Sequence, residues 1–417
     1  RLAIGPSRLR ATGLVATVAV PMPVRAGQAV QAASGRVTAS HSGAAIGASV
    51  AWHLAEAGGA RVTVLERDPA YARASTALAA SGIRHQFTTE TNIRISQFGT
   101  EFLRRFRLPE SGHVTFRENG YLLLAASAEA EAALRRAHAL QCRLGADVAL
   151  LSPPELAVRF PHLRTDDLRL GSLGLSGEGW FDNMGLLNGL RDGSRAMGAT
   201  WWRAEAAGFE MAGDAVRAVL LTDGTRLPAD WVVNAAGPRG AEIAGWAGVA
   251  LPVEPRKRTV FAFSCARPPA GRLPLMVDPS GLWCRPEGEG FIAGRTPDPD
   301  PAVAPDDFEP RSTEFEEVIW PTLAGRSPAF EAIRMTGLWA GHYAWNTHDM
   351  NAIIGPAPGC PNLIFANGFS GHGLQQAPAV GRGVAEWIAA GRYLSLDLSP
   401  LGPERLTRAP EAETAVF

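Results

Sequence analysis

The chain has 417 residues, of which 46% are hydrophobic and 19% charged, with 40 basic and 41 acidic side chains and a net charge of −1. That apolar content excludes a mostly disordered chain, and the charge balance excludes a global field that would draw in nucleic acid or anionic membrane. The length passes the roughly 250–300 residues at which one core stops growing, so two domains are expected.

Cys142, Cys265, Cys284 and Cys360 lie far apart and form no CxxC pair. They are poor material for a zinc site or a disulfide framework, so no metal is expected and a reducing cytoplasm fits them best. No uninterrupted apolar run reaches the ~18 residues of a membrane span, and none is expected. Lys257 is the only lysine among many arginines.

The first residues differ from the rest. No acid precedes Glu56, while Arg1, Arg8, Arg10, Arg25 and Arg36 are scattered among small and apolar residues. Gly13–Val20 with Val30-Gln31-Ala32 reads either as a targeting segment with a cleavage site or as an atypical tail. Residues 1–35 are therefore set apart from the fold.

From Ser42 the pattern sharpens. Ser42-Gly43-Ala44-Ala45-Ile46-Gly47 leads into a helical run that the Gly58-Gly59 pair stops, and Arg61–Leu65 is a β-rich run ending at Glu66. Glu66 follows Gly47 by 19 residues, near the ~20 between a dinucleotide-binding turn and its ribose-binding acid. Such a turn offers backbone N–H groups and a helix N-terminus to a pyrophosphate. In G-x-G-x-x-G register Ser42 and Ala44 replace the first two glycines, so the Cβ of Ala44 is expected to crowd that approach. The preceding Arg36–Ser40 is a weak strand pattern.

Further on, Glu129–Leu144 reads as an amphipathic helix, and Thr259–Phe263, Met276–Val277 and Phe291–Ala293 as strands between Pro/Gly turns. Pro297–Pro305 reads as a solvated loop. Val232–Asn234 is a buried-strand pattern running into Ala235-Ala236-Gly237-Pro238. Leu363–Ala366 precedes Asn367–Gly373, with three glycines in seven residues, and a helix is expected to start near Ala377-Pro378. A strand, a glycine loop and a helix N-terminus together offer unpaired N–H groups at the positive end of a dipole.

Taken with Arg73–Phe87 and Asn351–Pro356, these stretches resemble, in order and spacing, the FAD-dependent amine oxidoreductases of the D-amino-acid oxidase superfamily, which includes glycine oxidase, sarcosine oxidase and dimethylglycine dehydrogenase. Asn346-Thr347 and Asn367–Pro378 are most similar to the branch named for its FAD-dependent oxidoreductase domain, which includes assembly factors. The resemblance covers about residues 41–400. It implies an α/β fold, in which a discontinuous Rossmann-like FAD-binding domain (36–98, 150–250 and 345–400) is interleaved with a mostly antiparallel β-sheet substrate domain (99–149 and 251–344). A tail would follow over 401–417.

By the same resemblance FAD is the cofactor, held by four stretches. The first is Gly43, Ala44, Ile46 and Gly47 with Glu66 and Arg67. The second is Ser75, Thr76, Ser81, Gly82, Ile83 and Gln86, and the third Asn234, Ala235, Ala236 and Gly237. The fourth is Gly368, Ser370, Gly371, His372, Gly373, Leu374 and Gln375. Arg84, His372 and Tyr343 are the candidate catalytic residues. Many relatives clamp a substrate carboxylate with an arginine where this chain has Trp339–Tyr343, so His342 or Tyr343 is expected to take that place. Lys257 is similar to lysines that promote the oxygen reaction of some flavin oxidases, but is expected at the surface; Trp201, Trp202 and Trp231 are expected to pack. The implied activity is oxidation of the C–N bond of an amine or amino acid, of secondary-amine or N-methylglycine type, by hydride transfer to flavin N5. The partners would be a small-molecule amine and either oxygen or a protein electron acceptor, with no nucleic acid. The altered glycines and the missing arginine leave a flavoprotein-fold assembly or scaffold factor with weak or no catalysis as the alternative.

Overall fold

The computed structural model describes residues 35–40, 43–108 and 112–414. The segment before Gly35, including Gly13–Val20 and Val30–Ala32, and position Ser42 lie outside the described residues.

Apolar runs without alternation build a sheet buried on both faces. Six strands lie in the order Ile353–Ala357, Cys360–Asn367, Trp231–Asn234, Gly35–Ser40, Ala60–Glu66, Thr200–Arg203. All neighbours are parallel except the first pair. The weak Gly35–Ser40 run is nonetheless central, paired on both edges, with Val37 1% exposed between Val62 and Trp231. Its place is set by the neighbours' hydrogen-bonding edges rather than by its own propensity.

Helices Ala45–Ala57 and Gly373–Ala390 pack together against this sheet through Val50, Leu54, Val380 and Val384. Full burial of each such side chain contributes about 1.5–3 kcal/mol. A Cβ on Gly381 would stand 2.6 Å from the backbone carbon of Ser49, so the two helices approach at backbone distance. The second helix starts at Gly373, earlier than expected, and carries Pro378 inside it. Proline removes one intrahelical bond there, and buried Ala377, Ala379 and Val380 hold the turn in place.

A second sheet has eight strands in the order Ile333–Asn346, Val253–Cys265, Gly290–Gly294, Trp283–Glu287, Leu275–Val277, Tyr121–Ala125, Leu170–Gly174, Val148–Leu151. It is antiparallel apart from one parallel pair, Leu275–Val277 with Tyr121–Ala125. Leu170–Gly174, expected with the nucleotide-binding part, pairs instead in this sheet. The expected amphipathic helix spans Ala128–Arg143, capped by the Ser127 side chain. Two three-stranded sheets complete the described chain.

The segment after Glu66 ties the two large sheets together. The Ser75 hydroxyl donates to the His342 carbonyl at 2.8 Å, the Trp339 indole N–H to Leu78 O at 3.0 Å, and Arg285 Nε to Ala80 O at 2.9 Å.

Candidate active site

The carboxyl ends of Ala60–Glu66 and Trp231–Asn234 open onto a cavity of about 590 Å³, roofed by the second sheet. This is where an open parallel sheet binds its ligands. Two helix N-termini face it. Ala45–Ala57 has neither a side-chain cap nor an acid in its first turn, and Ala44 and Ile46 lie on the wall. Gly373–Ala390 is uncapped in the same way, with Gly373, Leu374 and Gln375 on the wall. Uncapped first-turn N–H groups need acceptors, so both ends are built for anionic or electron-rich ligand atoms.

At one end, Glu66 faces the cavity while Gly43 N and Asp68 N donate to its two oxygens at 2.9 and 2.8 Å. Burial pushes its carboxyl up, and those two N–H groups oppose the shift. Ala44 has φ −71°, which any residue adopts, so its Cβ lines the wall without backbone strain. Gly43 is the constrained residue of this turn, since a Cβ there would meet the Trp201 ring at 2.6 Å. Arg67, Ser75 and Thr76 also reach the wall, and the Thr76 hydroxyl accepts from Ala45 N at 3.1 Å. Ala235, Ala236 and Gly237 complete this side.

At the other end the chain turns through Gly368, Ser370 and Gly371 with φ of +69°, +49° and +96°. A Cβ on Gly371 would stand 2.5 Å from the Tyr343 ring. His372, 6% exposed, sits beside Arg84, 4% exposed, with Nη2···Nε2 at 3.1 Å. A guanidinium only donates, so Nε2 of His372 accepts and its ring proton lies on Nδ1. Gln375 Oε1 accepts from Arg84 N at 2.9 Å, and the guanidinium lies over the Phe87 ring at 4.6 Å and the Tyr121 ring at 5.4 Å. Ser81, with φ +61°, and Gly82 line the same end, and a Cβ on Gly82 would press on the Tyr121 hydroxyl at 2.9 Å. Tyr343 is half-buried on the wall with the Arg258 guanidinium 4.7 Å from its ring centre, and desolvation raises both tyrosine hydroxyls.

Several expected contacts stand behind the wall instead. Gly43 and Gly47 are buried under the first turn, and Ile83 is fully buried. Asn234 donates to Gly240 O at 2.9 Å and accepts from Ala236 N at 3.2 Å, fixing the strand exit. Ser370 accepts from Asn346 N at 3.0 Å and its own N donates to Ala344 O, which pins the Gly368–Gly371 turn to the second sheet. Gln86 donates to Tyr121 O and Glu178 and accepts from Ser172. Glu178 is fully buried, also accepts from His85 N at 2.7 Å, and is pushed up to about 7 by desolvation. His85 is lowered to about 4, first by burial and then by Arg104.

Lys257 is a correction. It is buried, not at the surface, and Nζ pairs with both oxygens of Asp307 at 2.8 Å. A lone ammonium is expelled from a protein interior unless such a partner exists. His342 lines the cavity, yet its Nε2 is engaged by Asp307 O at 2.7 Å. Trp202 is 39% exposed on an edge strand, whereas Trp201 and Trp231 pack against the core. The 297–305 stretch is a loop with most of its residues exposed, as expected, but Asp300 in it pairs through both oxygens with Arg258, and Pro305 reaches the cavity. Sequence reasoning passed over Arg258, Tyr121, Trp283 and Arg295, all on the wall. Alternation along Val253–Cys265, which sets Arg258 and Val260 on one face, is the signal that could have found Arg258.

The model of the FAD dependent oxidoreductase family matches residues 43–387. The chain belongs to that family. FAD is the cofactor, and the two uncapped helix ends opening on one cavity are a donor set that fits it. FAD-dependent oxidoreductase domain-containing protein 1 of Bos taurus is 39% identical, over 86% of this chain and 82% of the relative. The crystal structure of L-proline dehydrogenase from P. horikoshii superposes with TM-score 0.79 at 27% identity, covering 89% of this chain and 97% of that one. Glycine oxidase from Geobacillus kaustophilus gives TM-score 0.76 at 21% identity, over 90% and 99% of the two chains, and shares the fold. No helix among the described residues is long and apolar enough to cross a membrane.

Proposed function

We propose that the chain oxidises the C–N bond of a secondary amine or an N-methylglycine-type amino acid, with oxygen or a protein as the final electron acceptor. The observation that carries this reading is the buried Arg84–His372 pair standing at an uncapped helix N-terminus on the wall of the FAD family's cavity. Similarity to an L-proline dehydrogenase, whose named substrate is a secondary amine, supports it.

Bound FAD supplies the acceptor for a hydride equivalent leaving the amine Cα–H. The chain supplies position and field. Arg84 and the first turn of Gly373–Ala390 set fixed positive charge where negative charge arrives, which is the most effective use of preorganised dipoles. The Arg84 cation in a largely buried wall disfavours an ammonium and holds the amine neutral, with its lone pair available. Neutral His372 and the Tyr343 hydroxyl are the polar groups that orient it. No dedicated base is required when the amine binds neutral.

The test is an absorbance spectrum followed by anaerobic titration with L-proline, N-methylglycine and N,N-dimethylglycine. Flavin bands that bleach on amine addition are expected. A protein that stays colourless after incubation with FAD, or flavin bands that no amine of this panel bleaches, would overturn the proposal.

A further inference from the structure

Three of the six cavity arginines have a carboxylate of their own, while Arg84 is held by Gln86 O and His372 and Arg73 is exposed over the Phe308 ring. Arg67 reaches Glu205 at 3.6 Å, Arg239 pairs with Glu242 and Asp306, and Arg258 with Asp300. Arg295 is different. It is half-buried on the cavity wall, its one hydrogen bond runs from Nε to Thr296 O at 3.1 Å, and no carboxylate lies within ion-pair reach among the described residues. The acids that share the wall are committed elsewhere: Glu66 to two backbone N–H groups, Asp68 to Ala70 N and Ala72 N, Glu205 to Arg67, Asp306 to Arg239. Holding an arginine against an apolar wall without a counter-charge costs free energy that a bound anion would return.

The sheet fixes where Arg295 stands relative to the reacting end of the cavity. Arg295 directly follows Gly294, which pairs with Val260 on one side and Trp283 on the other. Val260, Trp283, Leu275 and Val277 make this part of the wall apolar. Tyr343 pairs with Arg256 one strand further on. Strand spacing and rise then put the Cα atoms of Arg295 and Tyr343 about 14 Å apart. The strand carrying Tyr343 has no arginine between Trp339 and Asn346.

We propose that Arg295 is a specificity-determining residue that binds a carboxylate carried on an apolar spacer, away from the amine that reacts near Tyr343 and His372. The substrate class, resting on the function proposed above, is an amine whose acid group lies several bonds from the oxidised carbon, with the spacer against Trp283, Leu275 and Val277.

Calorimetric titration of the FAD-loaded protein with 4-phenylbutyrate and its neutral isostere 4-phenylbutyramide tests this. Arg295 should favour the carboxylate by about tenfold, the usual worth of one charge-assisted contact. Arg295→Met should bring the two ligands to equal affinity, and Arg295→Lys should keep part of the preference. Equal binding by the unmodified protein, failure of the carboxylate to bind, or a preference that survives in R295M overturns the assignment. Flavin absorbance is read in the same samples. A yellow protein without carboxylate preference sinks the arginine assignment alone, and a colourless one with an Arg295-dependent preference sinks the flavin reading alone.

Discussion

The cavity is entered by two turns that perform one task with different chemistry. At Gly43-Ala44 the backbone takes ordinary φ values, and the constraint is space beneath the Trp201 ring. At Gly368–Gly371 the backbone itself is unusual, with three residues at positive φ and the Tyr343 ring pressed on Gly371. The first turn therefore tolerates an alanine where the sequence fingerprint wants glycine. The second cannot, because a Cβ there meets both a steric wall and a left-handed backbone. Loss of glycines from a fingerprint is damaging only where φ or contact demands them.

Gly371→Ala should have the largest effect, about 2–6 kcal/mol of stability from left-handed strain and overpacking combined, with loss of FAD binding. Thermal melting and flavin retention on gel filtration report it. Tyr343→Leu in the same chain should recover only the packing share, since the φ penalty stays. Full rescue by that second change would show that the turn is limited by space alone, like the first one.

The redox end is also backed by a fully buried carboxyl, whereas Glu66 at the dinucleotide end, raised by burial too, faces the cavity. Glu178 is fully buried and pushed to about 7, against 4.5 for an ordinary glutamate, by desolvation. The folded protein therefore keeps a proton that the unfolded chain releases between those values. Stability is lost as pH rises from about 4.5 through 7, by up to ~3 kcal/mol, and the loss is complete above that window. Glu178→Gln should remove this falling component, so that the change in stability from pH 5 to pH 8 in urea melts is more favourable in the variant than in the parent, whatever the substitution does to absolute stability. A slope unchanged in the variant would remove Glu178 as its source. His85, lowered from 6.5 to about 4, is neutral in the folded protein where the unfolded chain still holds its proton, so it adds an opposing slope, with stability rising between about pH 4 and 6.5.

Gly43→Ala ranks next, at about 1–3 kcal/mol for overpacking, and here Trp201→Leu should restore nearly everything because no unusual φ is involved. A rescue as partial as that of Gly371 would erase the distinction between the two turns.

What the sequence could disclose follows the same physics. Val232–Asn234 and Leu363–Ala366 were legible because strands buried on both faces read as unbroken apolar runs. Glu66 was legible because its spacing from the glycine turn is fixed by one helix and one strand. The Arg84–His372 contact was only implied, since the two residues are 288 positions apart and meet through tertiary packing. Lys257 and Arg258 were misread or missed for a common reason. A charged residue in a strand reads as surface unless its partner is known, and Asp307 and Asp300 lie in a stretch whose prolines read as loop. The early start of the Gly373–Ala390 helix was hidden by Pro378, which one lost hydrogen bond does not suffice to exclude from a well-packed helix.

The smallest effect discriminates best at the first turn. Ala44 is the N-cap of Ala45–Ala57 and makes no side-chain cap. Glycine is the better residue at that position by about 0.5 kcal/mol, and its missing Cβ enlarges the cavity beside the helix N-terminus. Ala44→Gly should therefore raise stability slightly and, through the closer approach that the missing Cβ allows, tighten FAD by roughly two- to threefold. Fluorescence titration of the apoprotein with FAD measures the change. A much larger gain would mean that the Ala44 Cβ does crowd the pyrophosphate, despite its relaxed backbone. No gain would mean that the helix end is already well placed, and that this turn holds its ligand through the N–H groups and Glu66 rather than through close backbone approach.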